Sequence, residues 1–303
     1  MIDVCSPLTG NKNVIKLHSF DTQKIIDDWL KSFDMEIKDE FSGCSRIDLY
    51  QCLETGLRFF VPMSVAGSNS LYVKLQKFEW FYLPWKWEHE ALFSRLNLGE
   101  KILEVGCATG VFVERLSHLG FSVEGIEFNK SAVAVCEEMG LPVSMQNMKQ
   151  LAINRAEAFD VVCSFQVLEH VADPLSFINE SLALLKCGGR LVICVPDNDS
   201  FLHYKQTLLD MPPHHVTQWN LKAFQSLERL FSLKLVCVKY EPLPKTQVTG
   251  YLYAHRKRMM EKSLFFKVLM NKYTMPIFRF FLNSGLRHMC RGQSIYVEYE
   301  KLE

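Results

Sequence analysis

From Lys101 to the end of the chain, short runs rich in β-branched residues alternate with segments of helical periodicity. This alternation is typical of βαβ units, which place parallel strands in one sheet with helices on its faces. The predicted strands are 101–108, 121–128, 142–147, 159–165, 190–196, 231–240 and 294–300. The predicted helices are 111–119, 130–139, 174–185 and 221–230. The alternation therefore predicts an α/β fold built on one open, mostly parallel sheet.

The rest of the chain lacks this alternation and sets the predicted domain organisation. Residues 1–66 form an appended module, and residues 67–97 form a connection of helices crowded with aromatic side chains such as Trp80, Trp85 and Trp87. Residues 98–303 form the α/β domain. Within it, residues 241–292 separate the last two strands, and an excursion of that length is usually functional. We expect a helical insertion there.

Composition excludes several classes of protein. Lys plus Arg and Asp plus Glu number 34 each, so no overall positive charge attracts nucleic acid, and we predict no nucleic-acid partner. The ten cysteines are irregularly spaced and mostly lie in apolar runs, as reduced buried thiols do. We find neither a signal-peptide pattern at Met1 nor eighteen consecutive apolar residues. These observations predict a cytoplasmic protein.

The most informative segment is the first predicted strand and the turn that follows it. The strand leads into Gly106 and Gly110, a Gly-x-x-x-Gly turn that opens a helix. Such a turn brings backbone close to a ligand at the carboxyl end of a strand. Ala108 occupies the middle position where a dinucleotide-binding turn favours glycine. S-adenosylmethionine has no phosphate to accommodate, so this turn favours that cofactor over a nicotinamide dinucleotide.

Further candidate cofactor residues follow the next strands. Glu127 ends the second strand, about 20 residues after the turn, where an acidic residue accepts ribose hydroxyls. Phe128 is placed to pack on an adenine ring. Asn147 ends the third strand with Met148 beside it, and its amide is suited to hydrogen-bond the adenine amine.

Together these segments resemble the class I S-adenosylmethionine-dependent methyltransferases. The resemblance covers residues 98–240 and the last strand, and its most specific parts are 104–110 and 165–171. It implies a Rossmann-like seven-stranded sheet in the order 3-2-1-4-5-7-6 with strand 7 antiparallel. It also implies the cofactor's contacts: Glu104, Gly106, Cys107 and Gly110 near the methionine part, Glu127 at the ribose, Asn147 and Met148 at the adenine, and Phe165 and Gln166 at the methionine end.

The predicted catalytic residues lie on a loop after the fifth strand. Two prolines there precede His214 and His215, and the loop belongs to the cofactor side of the sheet. Methyl transfer to a hydroxyl needs a base, and imidazole is suited to that task near neutral pH. We predict that one of the two histidines is the general base, and the sequence does not choose between them.

Three residues after the fourth strand have the spacing of a helical turn. Gln166, Glu169 and His170 stand at i, i+3 and i+4, and ubiquinone-type O-methyltransferases resemble this segment. Some of those enzymes hold a divalent ion there, but the amide of Gln166 is a poorer ligand for a hard cation than a carboxylate. We therefore predict a structural role for Glu169 and His170 and assign no metal ligand.

The N-terminal module resembles a zinc ribbon that has lost part of its ligand set. Cys5 and Cys52 begin two knuckle-like segments, but Thr9 and Thr55 stand where the second cysteines would be. Hydroxyl groups do not replace thiolates on zinc. The interpretation is a degenerate, metal-free module as in some bacterial sugar and small-molecule methyltransferases.

Residues 255–291 carry nine basic residues against the single acid Glu261, interleaved with aromatic and aliphatic side chains. This pattern fits an amphipathic lid with a solvated basic face, and it also fits peripheral contact with an anionic membrane or closure over a phosphorylated acceptor.

The sequence therefore predicts methyl transfer to a small-molecule acceptor, most plausibly a hydroxyl of a sugar, of a nucleotide-sugar or of another metabolite. Three alternatives stay open: a membrane-surface methyltransferase of a lipid or quinone precursor, a cofactor-binding partner subunit without turnover, and a nicotinamide-dependent dehydrogenase. The oligomeric state does not follow from the sequence.

Overall fold

The chain is described by a computed structural model that covers residues 3–41, 43–79, 81–82, 84–204, 207–262, 271 and 273–303. The N-terminal elements are β1 (Val14–Asp21), α1 (Thr22–Phe33), β2 (Arg46–Cys52), β3 (Arg58–Val61), α2 (Asn69–Leu75) and α3 (Trp87–Phe93). The α/β domain follows with β4 (Lys101–Val105), α4 (Val111–His118), β5 (Ser122–Ile126), α5 (Lys130–Glu138), β6 (Val143–Ser144), α6 (Met148–Asn154), β7 (Phe159–Phe165), α7 (Pro174–Leu184), β8 (Leu185–Pro196), β9 (Thr217–Gln218), α8 (Leu221–Leu230), β10 (Leu233–Pro242), α9 (Val248–Lys262), α10 (Met275–Asn283) and β11 (Arg291–Lys301). Short 3-10 helices lie at Lys38–Phe41, Met63–Val65, Leu168–His170, Phe201–Tyr204, Leu208–Asp210, Lys245–Gln247 and Leu286–Met289.

The large sheet has seven strands in the order β6-β5-β4-β7-β8-β11-β10. β4 pairs in parallel with β5 and β7, and β11 runs antiparallel between β8 and β10. In order of appearance within the domain this is 3-2-1-4-5-7-6 with strand 7 antiparallel. The predicted fold class and strand order are confirmed.

Alternating residues of the central strands supply the two cores of this domain. Leu103 and Val162 face one layer of helices, and Ile102 and Val161 face the other. Strands buried on both faces read as continuous apolar runs, which made them visible in the sequence. The predicted bounds differ most at β8, which already begins at Leu185, and at β6, which has only two residues. β4 ends at Val105 because Gly106 turns with φ of 76°.

The N-terminal module forms a second, four-stranded sheet in the order β1-β2-β3-β9. α1 packs on it through a core that includes the fully buried Trp29. β9 comes from the α/β part of the chain, so this sheet crosses the predicted boundary between 1–66 and 98–303. Cys52 is buried and its Sγ accepts a hydrogen bond from the Thr55 N–H at 3.5 Å. The zinc-ribbon likeness and the division into domains stay predictions.

The predicted insertion lies between β10 and β11 and contains α9 and α10. It packs on the Phe201–Tyr204 turn through a small core that includes Leu243 and Leu252. Residues 263–270 and 272, which carry part of the predicted amphipathic segment, lie outside the described residues, as does Trp80. Among the described residues, no helix combines the length and apolar character needed to cross a bilayer.

Candidate active site

The turn after β4 packs tightly against the loop after β7. Gly106 and Gly110 have φ of 76° and 78°, in the left-handed region. A Cβ on Gly106 would lie 2.4 Å from Cγ2 of Val167, so a side chain there has no room. Ala108 also has a positive φ, of 50°, which is uncommon for a residue with a side chain. Strained backbone of this kind clusters at ligand-binding sites.

Glu127 directly follows β5, and its carboxylate is fixed by three backbone N–H groups. Ala108 donates to Oε2 at 2.9 Å, and Phe128 and Asn129 donate to Oε1 at 2.7 and 2.8 Å. The bond from Ala108 ties the tip of β5 to the turn after β4. The carboxylate is therefore held at the edge of the sheet. It keeps lone pairs that can accept hydrogen bonds from hydroxyl groups of a ligand.

Glu104 is a buried carboxylate near the end of β4. It is 4% exposed, and its Oε2 has no hydrogen-bond partner among the described residues. Burial raises the pKa of Glu104 to about 8, although Lys86 opposes this shift. An unpaired buried carboxylate is unfavourable, so a cationic ligand group beside Glu104 would stabilise its charged form.

A cavity of about 1390 Å³ lies along this edge of the sheet. Nine of the twelve predicted site residues line it: Gly106, Glu127, Phe128, Asn147, Met148, Phe165, Gln166, His214 and His215. The other three are Glu104, Cys107 and Gly110. The cavity therefore joins the predicted cofactor residues to the predicted catalytic histidines in one space.

Some predicted residues lie differently from expectation. The Sγ of Cys107 would lie 2.6 Å from a Cβ on Gly125, so this buried side chain packs between strands and not toward the cavity. Asn147 is the N-cap of α6, and its Oδ1 accepts a hydrogen bond from Lys149 N–H at 2.9 Å. An adenine contact by Asn147 would thus use an amide whose oxygen already caps a helix.

Glu88, in the connection 67–97, also contributes to the site and was not predicted from the sequence. Gln166 has a φ of 57° and its Nε2 donates to Oε1 of Glu88 at 3.5 Å. Glu88 is 2% exposed and lines the cavity, and burial raises its pKa. No spacing pattern in the sequence linked Glu88 to the fourth strand.

Three histidines that line the same cavity as Glu127 lie close together. His170 ends the Leu168–His170 turn, and His214 and His215 lie on the loop before β9. Their ring centroids are 4.5 to 4.8 Å apart. Oε1 of Glu169 lies 3.9 Å from Nε2 of both His170 and His215. We call these four residues the histidine cluster.

Backbone bonds from two other parts of the chain hold this loop. The N–H of Val216 donates to the carbonyl of Glu169 at 2.9 Å, and the N–H of Gly67 donates to the carbonyl of Pro213 at 2.7 Å. The ring of Tyr72, on α2, contacts His170 edge-on with centroids 5.5 Å apart. The N-terminal part of the chain therefore forms one wall of the cavity beside the histidine cluster.

Burial determines the charge state of the histidine cluster. It lowers the pKa of His214 to about 4 and, together with the neighbouring His214, that of His170 to about 3. It also lowers the pKa of His215 far below its usual range. Burial raises the pKa of Glu169 to about 8. Near neutral pH the three imidazoles are therefore neutral.

Comparison with known proteins gives the class and then the family. A family model described as a methyltransferase domain matches residues 82–237, just over half of the chain. With the seven-stranded sheet and the carboxylates at its edge, this defines a class I S-adenosylmethionine-dependent methyltransferase. The chain belongs to the methyltransferase-domain family, and its cofactor is S-adenosylmethionine.

Several named relatives are O-methyltransferases. The chain is 32% identical over 140 residues to the ubiquinone biosynthesis O-methyltransferase of Nitrosococcus oceani, over 39% of this chain and 59% of that protein. It is 32% identical over 146 residues to the protein of that name from Pseudomonas fluorescens, over 41% of this chain and 62% of that protein. The chain thus spans about three fifths of the length of these relatives.

Solved structures with a similar fold are more distant in sequence. A SAM-dependent methyltransferase from Archaeoglobus fulgidus has a TM-score of 0.46 and 16% identity, covering 78% of this chain and 95% of that one. An S-adenosylmethionine-dependent methyltransferase from Mesorhizobium loti has a TM-score of 0.48 and 14% identity, covering 70% of this chain and 96% of that one.

The residues at the sheet edge fit the chemistry of this cofactor. S-adenosylmethionine carries positive charge on its sulfonium and its amino group, and Glu104 has a buried oxygen without a partner. Its ribose hydroxyls need an acceptor, and Glu127 is fixed where the strands end. When bound, the cofactor supplies an electrophilic methyl group. The protein's own residues bind and orient the two reactants and exclude water.

Proposed function

We propose that this chain transfers a methyl group from S-adenosylmethionine to a hydroxyl oxygen of a small-molecule acceptor. The observation that carries the proposal is one cavity lined both by Glu127, where the ribose would bind, and by the histidine cluster, whose surroundings we call the acceptor side. An acceptor between them would have its hydroxyl near groups able to draw off a proton. This deprotonation matters because a neutral hydroxyl is a weak nucleophile.

The lining of the acceptor side favours a polar acceptor such as a sugar or another hydroxylated metabolite. Glu88, Glu241, Gln293 and Ser294 line the cavity together with aromatic side chains. Alternating hydrogen-bonding groups and aromatic faces suit a polyhydroxylated ring. A nucleotide-sugar stays within this proposal, since Arg287 also lines the cavity.

A second candidate is a quinone or lipid precursor met at a membrane surface. Relatives are named ubiquinone biosynthesis O-methyltransferases, and the insertion exposes a group of large apolar side chains. These are Tyr273, Ile277, Phe280, Phe281, Leu286 and Met289. Flotation of the whole protein with anionic vesicles tests this candidate. Loss of flotation in Phe280→Ser/Phe281→Ser would favour it, and absence of flotation in the unmodified protein would remove it.

The experiment for the proposed reaction measures methyl transfer to sugars, nucleotide-sugars and substituted catechols. For the proton-accepting group, His214→Gln and His215→Gln should bind cofactor like the unmodified protein. If one of them is the base, its turnover should fall by roughly 10²- to 10⁴-fold. His203→Gln, which changes a histidine outside the cavity lining, is the matched control. Full activity in both cluster variants would remove the base role, and cofactor binding without turnover on any acceptor would favour a partner subunit.

We also propose a cytoplasmic location. All ten cysteines are free thiols, and Cys52, Cys107, Cys136, Cys163 and Cys194 are buried. Free buried thiols are typical of proteins in a reducing compartment. Alkylation of the protein in rapidly quenched cells, followed by mass spectrometry, measures the thiol state directly.

A further inference from the structure

The histidine cluster contains buried polar atoms that the described part of the chain does not satisfy. Nε2 of His214 and both carboxylate oxygens of Glu169 have no hydrogen-bond partner there. Glu169 is 2% and His214 8% exposed. Because buried polar groups in native proteins nearly always have partners, three such atoms at one place indicate a missing ligand.

Two of the rings are held in the tautomer that leaves Nε2 free to bind a metal ion. Nδ1 of His170 lies 2.5 Å from the carbonyl oxygen of His214, and Nδ1 of His214 lies 2.9 Å from that of Leu209. A carbonyl only accepts, so each Nδ1 carries the hydrogen and each Nε2 presents a lone pair. Metal-binding histidines are commonly oriented by such a bond from the other ring nitrogen.

The third ring lies between two carboxylates. Nδ1 of His215 is 3.8 Å from Oδ1 of Asp210, and its Nε2 is 3.9 Å from Oε1 of Glu169. One ring nitrogen from each of the three histidines lies within 4.8 Å of the others. Donor atoms on one ion lie about 3–4 Å apart when each bond is about 2.1 Å. Inward movements of about 1 Å or less would bring the three ring nitrogens to that spacing around an ion.

We infer that the histidine cluster binds a divalent transition-metal ion through His170, His214 and His215, with the carboxylate of Glu169 beside the ion. Imidazole ligands favour zinc or iron over magnesium or calcium, which prefer oxygen. Gln166 takes no part, because its amide is directed to Glu88. The ligand set therefore combines two loops, and it gives His170 a role beyond the structural one predicted from the sequence.

This site would deepen the proposed function, on which the following consequence rests, and the ion would take the place of a histidine base. The three histidines line the cavity, and a site with three protein ligands would leave a fourth position for the acceptor hydroxyl. A hydroxyl beside a divalent ion releases its proton more readily, here to water. The O–CH₃ bond then forms while the S–CH₃ bond breaks, giving the methyl ether, S-adenosylhomocysteine and one proton.

The test is metal binding by the whole protein, measured independently of turnover. After treatment with a chelator and its removal, titration with Co²⁺ should give a visible absorption spectrum that saturates near one ion per chain. Zn²⁺ should displace the cobalt and raise the melting temperature, whereas Mg²⁺ should do neither. His170→Gln, His214→Gln and His215→Gln should each weaken cobalt binding by at least about 100-fold.

His203→Gln is again the control and should keep the cobalt spectrum. If a cluster variant fails to fold, the unmodified protein still decides, since bound zinc should protect the three histidines from diethyl pyrocarbonate. No cobalt spectrum, or unchanged binding in all three variants, would overturn the inference.

Failure of the metal site and failure of the proposed reaction are distinguishable. Glu127→Ala should lose cofactor affinity and keep the cobalt spectrum. Methyl transfer by a protein that binds no metal would support the proposed reaction and contradict the metal site. Metal binding without transfer to any acceptor would support the metal site and contradict the proposed reaction.

Discussion

The two sides of the cavity are built in different ways. On the cofactor side, the carboxylate of Glu127 is held by three backbone N–H groups from two neighbouring turns. On the acceptor side, both carboxylate oxygens of Glu169 and Nε2 of His214 are buried without a hydrogen-bond partner in the described residues. The first side fixes its ribose-binding carboxylate by itself and leaves one oxygen of Glu104 unpaired, whereas the second leaves three polar atoms unpaired at one place. Binding of the cofactor and activation of the acceptor should therefore respond to different substitutions.

The largest effect is expected from filling the space at the turn after β4. Gly106→Ala should lower the free energy of unfolding by about 2–5 kcal/mol, because about 1–2 kcal/mol of backbone strain adds to about 1–3 kcal/mol of overpacking against Val167. Gly188 is the matched control: its φ is 72°, but a Cβ there meets nothing within 4 Å. Gly188→Ala should show the strain alone. Urea unfolding measures both, and equal losses would contradict the close packing described for the turn.

A pH-dependent effect of on the order of 3 kcal/mol is expected at Glu104. The folded protein keeps its proton up to a pKa of about 8, whereas the unfolded chain releases it near the ordinary value of 4.5. Stability without cofactor should therefore fall as pH rises through that interval. Glu104→Gln should remove this part of the decline, so the difference between the two proteins should grow toward high pH. Urea unfolding measures this difference. An equal difference in stability between the two proteins at about pH 5 and about pH 8 would show that Glu104 is not a buried, unpaired acid.

The cofactor side also shows what could be predicted from the sequence. The turn after β4, Glu127 and the order of the seven strands follow from motifs within one βαβ unit or from runs of apolar residues, so they were predicted and the strand order was confirmed. Seven predicted cofactor residues line the cavity for the same reason.

The acceptor side could not be predicted in this way. His170 and His214 are 44 residues apart and meet only because two loops reach the same edge of the sheet. Glu88 and Tyr72 arrive from the N-terminal part, whose sheet includes a two-residue strand, β9, too short to give a periodic signal. Contacts that depend on tertiary packing leave no spacing in the sequence.

The smallest expected effect is a loss of cofactor affinity that concerns the cofactor side alone. Glu127→Ala should weaken S-adenosylmethionine binding by about 1.5–3 kcal/mol, since charge-assisted hydrogen bonds to the ribose are lost. Glu124→Ala, on the same strand but paired with Arg155, should leave cofactor affinity unchanged. A loss of similar size in both variants would mean that Glu127 acts through the strand and not through the cofactor.

The central claim, that the carboxyl edge of the sheet binds S-adenosylmethionine, is tested most directly by calorimetric titration of the purified chain with S-adenosylmethionine and, in parallel, with NAD. We expect a saturable heat for one site per chain with S-adenosylmethionine, weakened in Glu127→Ala, and none with NAD. Absence of heat with S-adenosylmethionine at two temperatures, or binding of NAD in its place, would contradict the account.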